Sequence, residues 1–153
     1  MPRTDPVPRW ALGVEYDGAR FAGFQRQLHH DLKTVQGDLE RALSQIAAEP
    51  VTLVCAGRTD AGVHATGQVV HFDTSATRDA RAWVRGGNTL TDGGLCIHWA
   101  RRVDPAFHAR FSATARRYLY VLADGTPVQA LLRDRVASFP VALDDGRMAE
   151  GAR

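Results

Sequence analysis

The chain has 153 residues, enough for one domain with a hydrophobic core, since a domain of this size buries about two thirds of the surface that its unfolded chain exposes. No stretch approaches the roughly 18 consecutive apolar residues of a membrane span, and residues 1–9 lack the apolar segment of a secretory signal. The net charge is +2, and eighteen of the nineteen basic residues are arginine. Arginine suits phosphate binding, although a GC-rich genome gives the same bias. We therefore predict a cytoplasmic protein with no membrane association.

Hydrophobic periodicity and turn residues predict the order β-α-β-β-α-β, followed by one further strand. The predicted strands and helices lie at residues 9–16, 35–48, 51–56, 67–74, 78–89, 95–103 and 116–122. Thr34 is suited to cap the first helix, and Ser75 or Thr77 the second. This order matches a split β-α-β unit, so we predict an α+β, ferredoxin-like sandwich with both helices on one face of an antiparallel sheet.

A glycine-rich loop over residues 55–67 lies between the second and third predicted strands. It contains one carboxylate, Asp60, two residues after Arg58, with glycines at positions 57, 62 and 67. Glycine admits backbone angles closed to other residues, and functional side chains are often held on loops between rigid strands. From the residues alone, two interpretations remain open: a surface turn with an ordinary Arg–Asp ion pair, or a functional carboxylate kept ionised by Arg58.

Residues 57–64 read Gly-Arg-Thr-Asp-Ala-Gly-Val-His, and further blocks lie at residues 11–27, 35–50 and 107–118. The block at residues 57–64 resembles the signature of the TruA family of tRNA pseudouridine synthases. In chain order, the others are similar to that family's opening strand and loop, its first helix and its second catalytic segment. Four ordered blocks over residues 9–120 make a chance similarity untenable.

The resemblance implies an isomerase that breaks the N-glycosidic bond of a uridine, turns the base and rejoins it through carbon. This reaction requires no metal, redox step or organic cofactor, and Asp60 lies at the family's catalytic position, as a nucleophile or as a base. Arg58 corresponds to the arginine that pairs with this carboxylate and helps fill the space of a flipped base, with support of the loop as its alternative role. Tyr118 corresponds to the family's active-site tyrosine, which would stack on the base. We expect Tyr120, on the same face of the predicted strand, to pack in the core.

The resemblance also implies a substrate and an assembly: uridines 38–40 in the anticodon stem-loop of tRNA, and a homodimer. Further residues that we expect to contact RNA are Arg20, Arg26, His64, Arg110, Arg116 and Arg117. Together with the loop they predict a phosphate-binding surface. Each arginine alone is open to the simpler interpretation of a solvated surface charge, and His64 to that of a support for the loop.

Three segments divide the chain in this interpretation. Residues 1–8 are predicted to be a disordered lead, residues 9–125 the ferredoxin-like catalytic half, and residues 126–153 the start of a connection to a second half. Family members continue with a similar second half that completes the cleft, so we expect this chain to correspond to the N-terminal half. Residues 86–95 depart from the family pattern, because the proline of its usual Leu-Pro is missing and the segment is rich in glycine.

Two alternatives to an active isomerase remain open. One is a non-catalytic RNA-binding module or an inactive truncated fragment that keeps the loop but lacks the other wall of the cleft. The other is a metal-dependent hydrolase that uses Asp60, His64, His71 and Asp73, because the last two share a strand face. No third ligand has recognisable spacing, and the two cysteines form no zinc motif, so we predict no metal or cofactor.

Overall fold

An antiparallel sheet brings the predicted blocks side by side. The computed structural model describes residues 7–27, 32–125, 127 and 130–152, so the predicted disordered lead lies outside the described residues apart from residues 7 and 8. The strands of the sheet are β1 Arg9–Tyr16, β2 Leu53–Cys55, β3 Ala65–Asp73 and β4 Leu95–Val103. Their order is β2-β3-β1-β4, with every neighbouring pair antiparallel. The fold is the predicted ferredoxin-like α+β arrangement, with one helix after β1 and one after β3.

Side-chain caps fix where the two helices of this unit begin. The helices are α1 Val35–Ala47 and α2 Ala80–Leu90. Thr34 Oγ1 accepts a hydrogen bond from the backbone N–H three residues later, at 3.2 Å, so the predicted cap of α1 is confirmed. The predicted caps of α2 are wrong, because Asp79 accepts from the N–H of its third following residue at 2.7 Å. The Ser75 hydroxyl donates to Glu49 instead.

The core lies between the two helices and one face of the sheet. Its fully buried side chains include Leu12, Val14, Leu39, Leu43, Val70, Phe72, Trp83 and Ile97. The Trp83 ring centroid lies 5.9 Å from that of Trp10 and 5.2 Å from that of Phe72. Burial of each large apolar side chain contributes about 1.5–3 kcal/mol. This packing supplies a rigid support for the loop that joins β2 to β3.

Residues 117–153 form a second compact unit, distinct from the unit of residues 1–116. Its elements are β5 Leu122–Asp124, β6 Ala137–Phe139 and α3 Asp145–Gly151. The two strands pair in parallel. Across the described ranges of the chain, no helix is long and apolar enough to cross a membrane.

The predicted strand at 116–122 is wrong, because only residue 122 belongs to a strand. The segment is rich in β-favouring residues, but a strand forms only where a neighbour supplies hydrogen-bond partners and a surface to cover its side chains. Neither surrounds Tyr118, which is 70% exposed, or Tyr120, which is 82% exposed. Tyr120 is therefore a surface residue and not the core residue that we expected.

Candidate active site

The loop of residues 56–64 connects β2 to β3 and exposes both Arg58 and Asp60 to solvent. A turn closes directly after the carboxylate, where Val63 N donates to Asp60 O at 3.2 Å. Within this turn Gly62 adopts φ +80°, a backbone angle at which a side chain would be strained. The reversal of the chain leaves the Asp60 side chain open to an approaching substrate.

β1 and the segment that follows it fix Thr59 through its side chain and its backbone respectively. Its carbonyl accepts from Phe24 N at 2.9 Å, and its hydroxyl lies 2.8 Å from the Tyr16 hydroxyl. Gly23 makes the close approach possible, since it adopts φ +98° and a Cβ there would lie 3.2 Å from Thr59 O. Because Thr59 lies between Arg58 and Asp60, these contacts orient the backbone that carries both.

Gln68 fixes the loop from the other side, although the sequence analysis did not single it out. Its Nε2 donates to Gly57 O at 2.5 Å and lies 3.3 Å from the Tyr16 hydroxyl, and its Oε1 accepts from Gly57 N at 3.4 Å. The side chain is buried in the part of the sheet nearest the loop. The sequence held one signal for this role. Gln68 is two and four residues before Val70 and Phe72, which face the core, so strand alternation places its polar side chain on the same buried face.

His64 lies at the end of the loop, where its Nδ1 accepts from Gly18 N at 3.1 Å. The same nitrogen lies 3.1 Å from Asp17 Oδ1. A Cβ at Gly18 would also overlap Val63 O. Two contacts therefore tie the start of the chain's first loop to His64, which agrees with its interpretation as a support.

Arg58 and Asp60 do not form the ordinary ion pair that the sequence left open. Among the ion pairs of residues 7–27 and 32–125, none joins these two side chains. Cys55 precedes the loop, and burial raises the pKa of its thiol against the opposing effect of the Arg58 charge. A thiol held protonated is a poor nucleophile, so the carboxylate is the better candidate for chemistry here.

Three of the arginines predicted to contact RNA have partners within the protein. Arg20 pairs with Asp92 at 2.9 Å, and Arg26 lies 3.6 Å from Glu40. The Arg116 guanidinium donates to two backbone carbonyls, those of residues 56 and 110, at 2.9 and 2.8 Å. Arg116 thus joins the first residue of the loop of residues 56–64 to Arg110, in the sequence block at residues 107–118. These contacts give each arginine a structural role, and RNA contact stays a prediction for all three.

The remaining predicted contacts are exposed. The Arg110 guanidinium carbon lies 5.8 Å from the ring centroid of Phe111, which is itself 77% exposed. Arg117 and Tyr118 begin the second compact unit, in which both side chains are exposed. A guanidinium over an aromatic face presents a surface suited to nucleic acid.

The alternative of a metal site lacks support in the structure. In the described portion of the chain, no three side chains of His, Cys, Asp or Glu are grouped as ligands. Asp73 accepts two hydrogen bonds from Arg9, at 2.7 Å each, which hold the pKa of its carboxyl below the usual range. His71 Nδ1 accepts from Ala109 N at 3.1 Å. Both candidate ligands are therefore engaged by other groups.

Comparison with known proteins identifies the family. The family model described as tRNA pseudouridine synthase matches residues 13–112, a span that includes the loop of Asp60. The chain belongs to this family. The resemblance of the four sequence blocks is thereby confirmed.

The curated relatives of the chain bear the name tRNA pseudouridine synthase A. The relative from Shewanella loihica (strain ATCC BAA-1088 / PV-4) is 51% identical over 145 residues, 95% of this chain and 55% of its own length. That from Photorhabdus laumondii subsp. laumondii is 52% identical over 143 residues, 94% and 53% respectively. That from Escherichia coli O1:K1 / APEC is 51% identical over 148 residues, 97% and 54%. The chain thus spans about half the length of the curated relatives it matches.

Proposed function

We propose that this chain carries the catalytic carboxylate of a tRNA pseudouridine synthase that isomerises uridines 38–40 of the anticodon stem-loop. The observation that carries the proposal is Asp60, an exposed carboxylate on a loop whose backbone is fixed on both sides by buried hydrogen-bonding groups. The bond from C1′ to N1 of the uracil breaks, the base turns, and a bond from C1′ to C5 forms as C5 loses its proton and N1 gains one. Substrate and product have the same atoms, so no oxidant or reductant is consumed.

Asp60 acts on the nucleotide in one of two ways, as a nucleophile or as a base at the sugar. Both roles require the carboxylate to approach a fixed atom of the substrate, and misplacement by about 1 Å can cost on the order of 100-fold in rate. The hydrogen bonds to Gly57 and Thr59 support this proposal, because they restrain the residues on either side of Arg58.

A uridine in a stem must leave its stack before the carboxylate can reach the sugar, at a cost of about a few kcal/mol. Arg58 lies two residues from Asp60 with no ion-pair partner among the described residues, so its guanidinium is available to fill the vacated space. Tyr118 is exposed and offers a ring on which a base can stack, a contact that contributes about 1–3 kcal/mol.

The tRNA backbone would contact basic side chains, with Arg110 the most accessible and Arg117 beside Tyr118. We also propose a cytoplasmic homodimer of a chain that includes the second half found in relatives. Exposed apolar side chains of the second unit support a further protein surface at this position: Leu119 is 87%, Leu131 88% and Val141 64% exposed. Exposed apolar side chains that form one patch typically mark an interface.

The test is release of tritium from C5 of uridine in an unmodified anticodon stem-loop. The chain alone is compared with the chain fused to the remaining half of the Escherichia coli relative. We expect little or no release by the chain alone, release by the fusion, and loss of release but not of tRNA binding in Asp60→Asn of the fusion. Glu15→Gln, an exposed carboxylate outside the loop, is the matched control and should remain active.

Three results would contradict different parts of the proposal. Release by the Asp60→Asn fusion would show that the carboxylate is not required. Binding of tRNA by both proteins with release by neither would favour the non-catalytic RNA-binding module. Robust release by the chain alone would show that the second half is dispensable.

A further inference from the structure

The segment of residues 104–112 covers the part of the sheet around His71, on the face opposite the helices. His71 alternates with the core residues Val70 and Phe72 and therefore faces the other way, yet it is only 4% exposed. Its cover is this segment, in which Ala109 is 2% exposed. The segment ends two residues after Arg110 and leads to Arg116, both predicted RNA contacts.

Two side chains of the sheet hold the segment in place. Arg9 Nη1 donates to the carbonyls of Pro105 and Phe107, at 2.8 and 2.7 Å. His71 Nδ1 accepts from Ala109 N at 3.1 Å. Arg116 holds the carbonyl of Arg110 at 2.8 Å, and the other bonds lie within the segment, such as that from Ser112 N to the carbonyl of residue 108 at 2.7 Å. The bond that docks Ala109 itself therefore depends on one imidazole nitrogen.

This nitrogen can accept only while it carries no proton, since both nitrogens of a protonated histidine are donors. Its surroundings oppose protonation: burial first, then the charge of Arg9 on β1 and His108 on the segment, lower the pKa of His71. Asp73 on its own strand acts in the opposite direction, but its carboxylate is paired with Arg9. Ala11 of β1 pairs with His71 on one side and with Arg101 of β4 on the other. Arg101 is therefore a further cation on the same face of the sheet.

We propose that His71 is the positioning residue that docks the centre of residues 104–112 on the sheet through its Nδ1, and that protonation of His71 releases the segment at Ala109 and shifts the neighbouring Arg110, whose carbonyl Arg116 still holds. The consequence for RNA contact rests on the proposed function, whereas the docking itself does not. The segment's own ring contact supports the proposal, because His108 packs 4.7 Å from His71 and stacks 4.3 Å from Phe111 between ring centroids. A proton added to His71 would therefore place a positive charge close to the Arg9 guanidinium and the His108 ring.

The experiment measures hydrogen exchange of the Ala109 amide by NMR in the chain as it exists, at pH 7.5 and pH 5.5, with each rate divided by the intrinsic rate at that pH. A group that titrates near 6.5 when released and lower when docked should reduce the protection by up to about tenfold at pH 5.5. The amide of Val70 in the core reports global unfolding and should lose much less. In the same spectra, His71 should show the neutral form protonated at Nε2 at pH 7.5.

His71→Asn separates the acceptor from its titration, because the Asn Oδ1 can accept in a similar position but does not gain a proton. We expect this variant to protect Ala109 at both pH values and to lose the tenfold dependence, while the control His98→Asn, on the exposed part of β4, keeps it. A wild-type Ala109 protection that is equal at both pH values overturns the proposal, and so does a full pH dependence in His71→Asn. The wild-type titration decides even where the variant folds poorly.

Binding of unmodified tRNA separates this proposal from the proposed function. If docking of the segment fixes the position of Arg110, the affinity of the wild-type chain for tRNA should fall more between pH 7.5 and pH 5.5 than the affinity of His71→Asn does. Absence of tRNA binding at both pH values would count against the proposed function, while the exchange data would still decide whether His71 docks the segment.

Discussion

Gln68→Met replaces the glutamine that supports the loop by a side chain of similar volume without hydrogen-bonding groups. The change removes the 2.5 Å bond to Gly57 O, the weaker 3.4 Å bond from Gly57 N and the 3.3 Å contact with Tyr16. The Gly57 carbonyl then loses its partner, at a cost of about 1–3 kcal/mol. Tyr16 retains its contact with Thr59, so we expect a total near the middle of that range.

A loss of about 2 kcal/mol is smaller than the 5–15 kcal/mol that stabilises a typical domain. The variant should therefore fold, with its urea midpoint lowered, and the effect should be concentrated in the loop. Backbone ¹⁵N order parameters of residues 57–60 should decrease, since these report motion on the picosecond to nanosecond timescale. In the fusion with the second half, kcat should fall with little change in KM, because the loop positions the carboxylate and does not create the tRNA surface.

The matched control is Gln36→Met. Gln36 also uses its amide within the protein, donating to Glu40 at 2.8 Å and accepting from Arg26 N at 3.1 Å, but its side chain makes no hydrogen bond to the loop of residues 56–64 among those of the described residues. We expect it to lower stability without changing the order parameters of residues 57–60 or kcat. If Gln68→Met and Gln36→Met have the same effects on the loop, or if Gln68→Met changes neither the loop nor the free energy of unfolding, the reasoning is refuted.

Three further predictions follow from particular contacts. Gly23→Ala should lose about 1–3 kcal/mol of unfolding free energy in urea, because φ there is +98°, whereas the control Gly67→Ala, with no atom within 4 Å of the added Cβ, should lose much less. Hydrogen bonds from the hydroxyls of Ser75 and Thr74 lower the pKa of Glu49 from 4.5 to about 2. Glu49 therefore contributes stability that is present above pH 4.5 and lost as the pH falls towards 2, and Glu49→Gln should flatten this part of the pH–stability curve; an unchanged curve would contradict it. Tyr118→Ala should reduce turnover of the fusion more than tRNA binding, and Tyr118→Phe should have a smaller effect. Because Tyr118 is 70% exposed, a loss of chain stability without a loss of turnover would count against a stacking role.

Local signals in the sequence were sufficient for the elements of the sheet. The predicted bounds of β1 and β4 agree with those observed, and the cap at Thr34 is confirmed, because alternation and capping depend on neighbouring residues in the chain. The cap of α2 was misassigned because Ser75 finds a distant partner, Glu49, which no local pattern contains. The strand at 116–122 was misassigned for the corresponding reason, since β propensity does not supply a pairing strand.

The sequence likewise predicted one part of the candidate site and missed another. Asp60 and Arg58 were found because their motif is contiguous, whereas the residues that hold them come from separate strands. Tyr16 and Gln68 are 52 residues apart and meet only because β1 and β3 are paired. An Arg58–Asp60 ion pair was one of the two interpretations open for charges so close in sequence, and among the described residues no ion pair joins these side chains.

The pairing of β1 with β3 relates the two sequence blocks that carry the proposed function. Near one end of this ladder, Tyr16 and Gln68 hold the loop of Asp60. Near the other end, Arg9 and His71 hold the segment of Arg110 on the opposite face. Because the four supporting side chains lie on two adjacent strands of one sheet, the sheet sets the distance between the loop and the segment. This arrangement explains why a family motif of exposed residues depends on buried polar groups, and why those groups lie on the central strands.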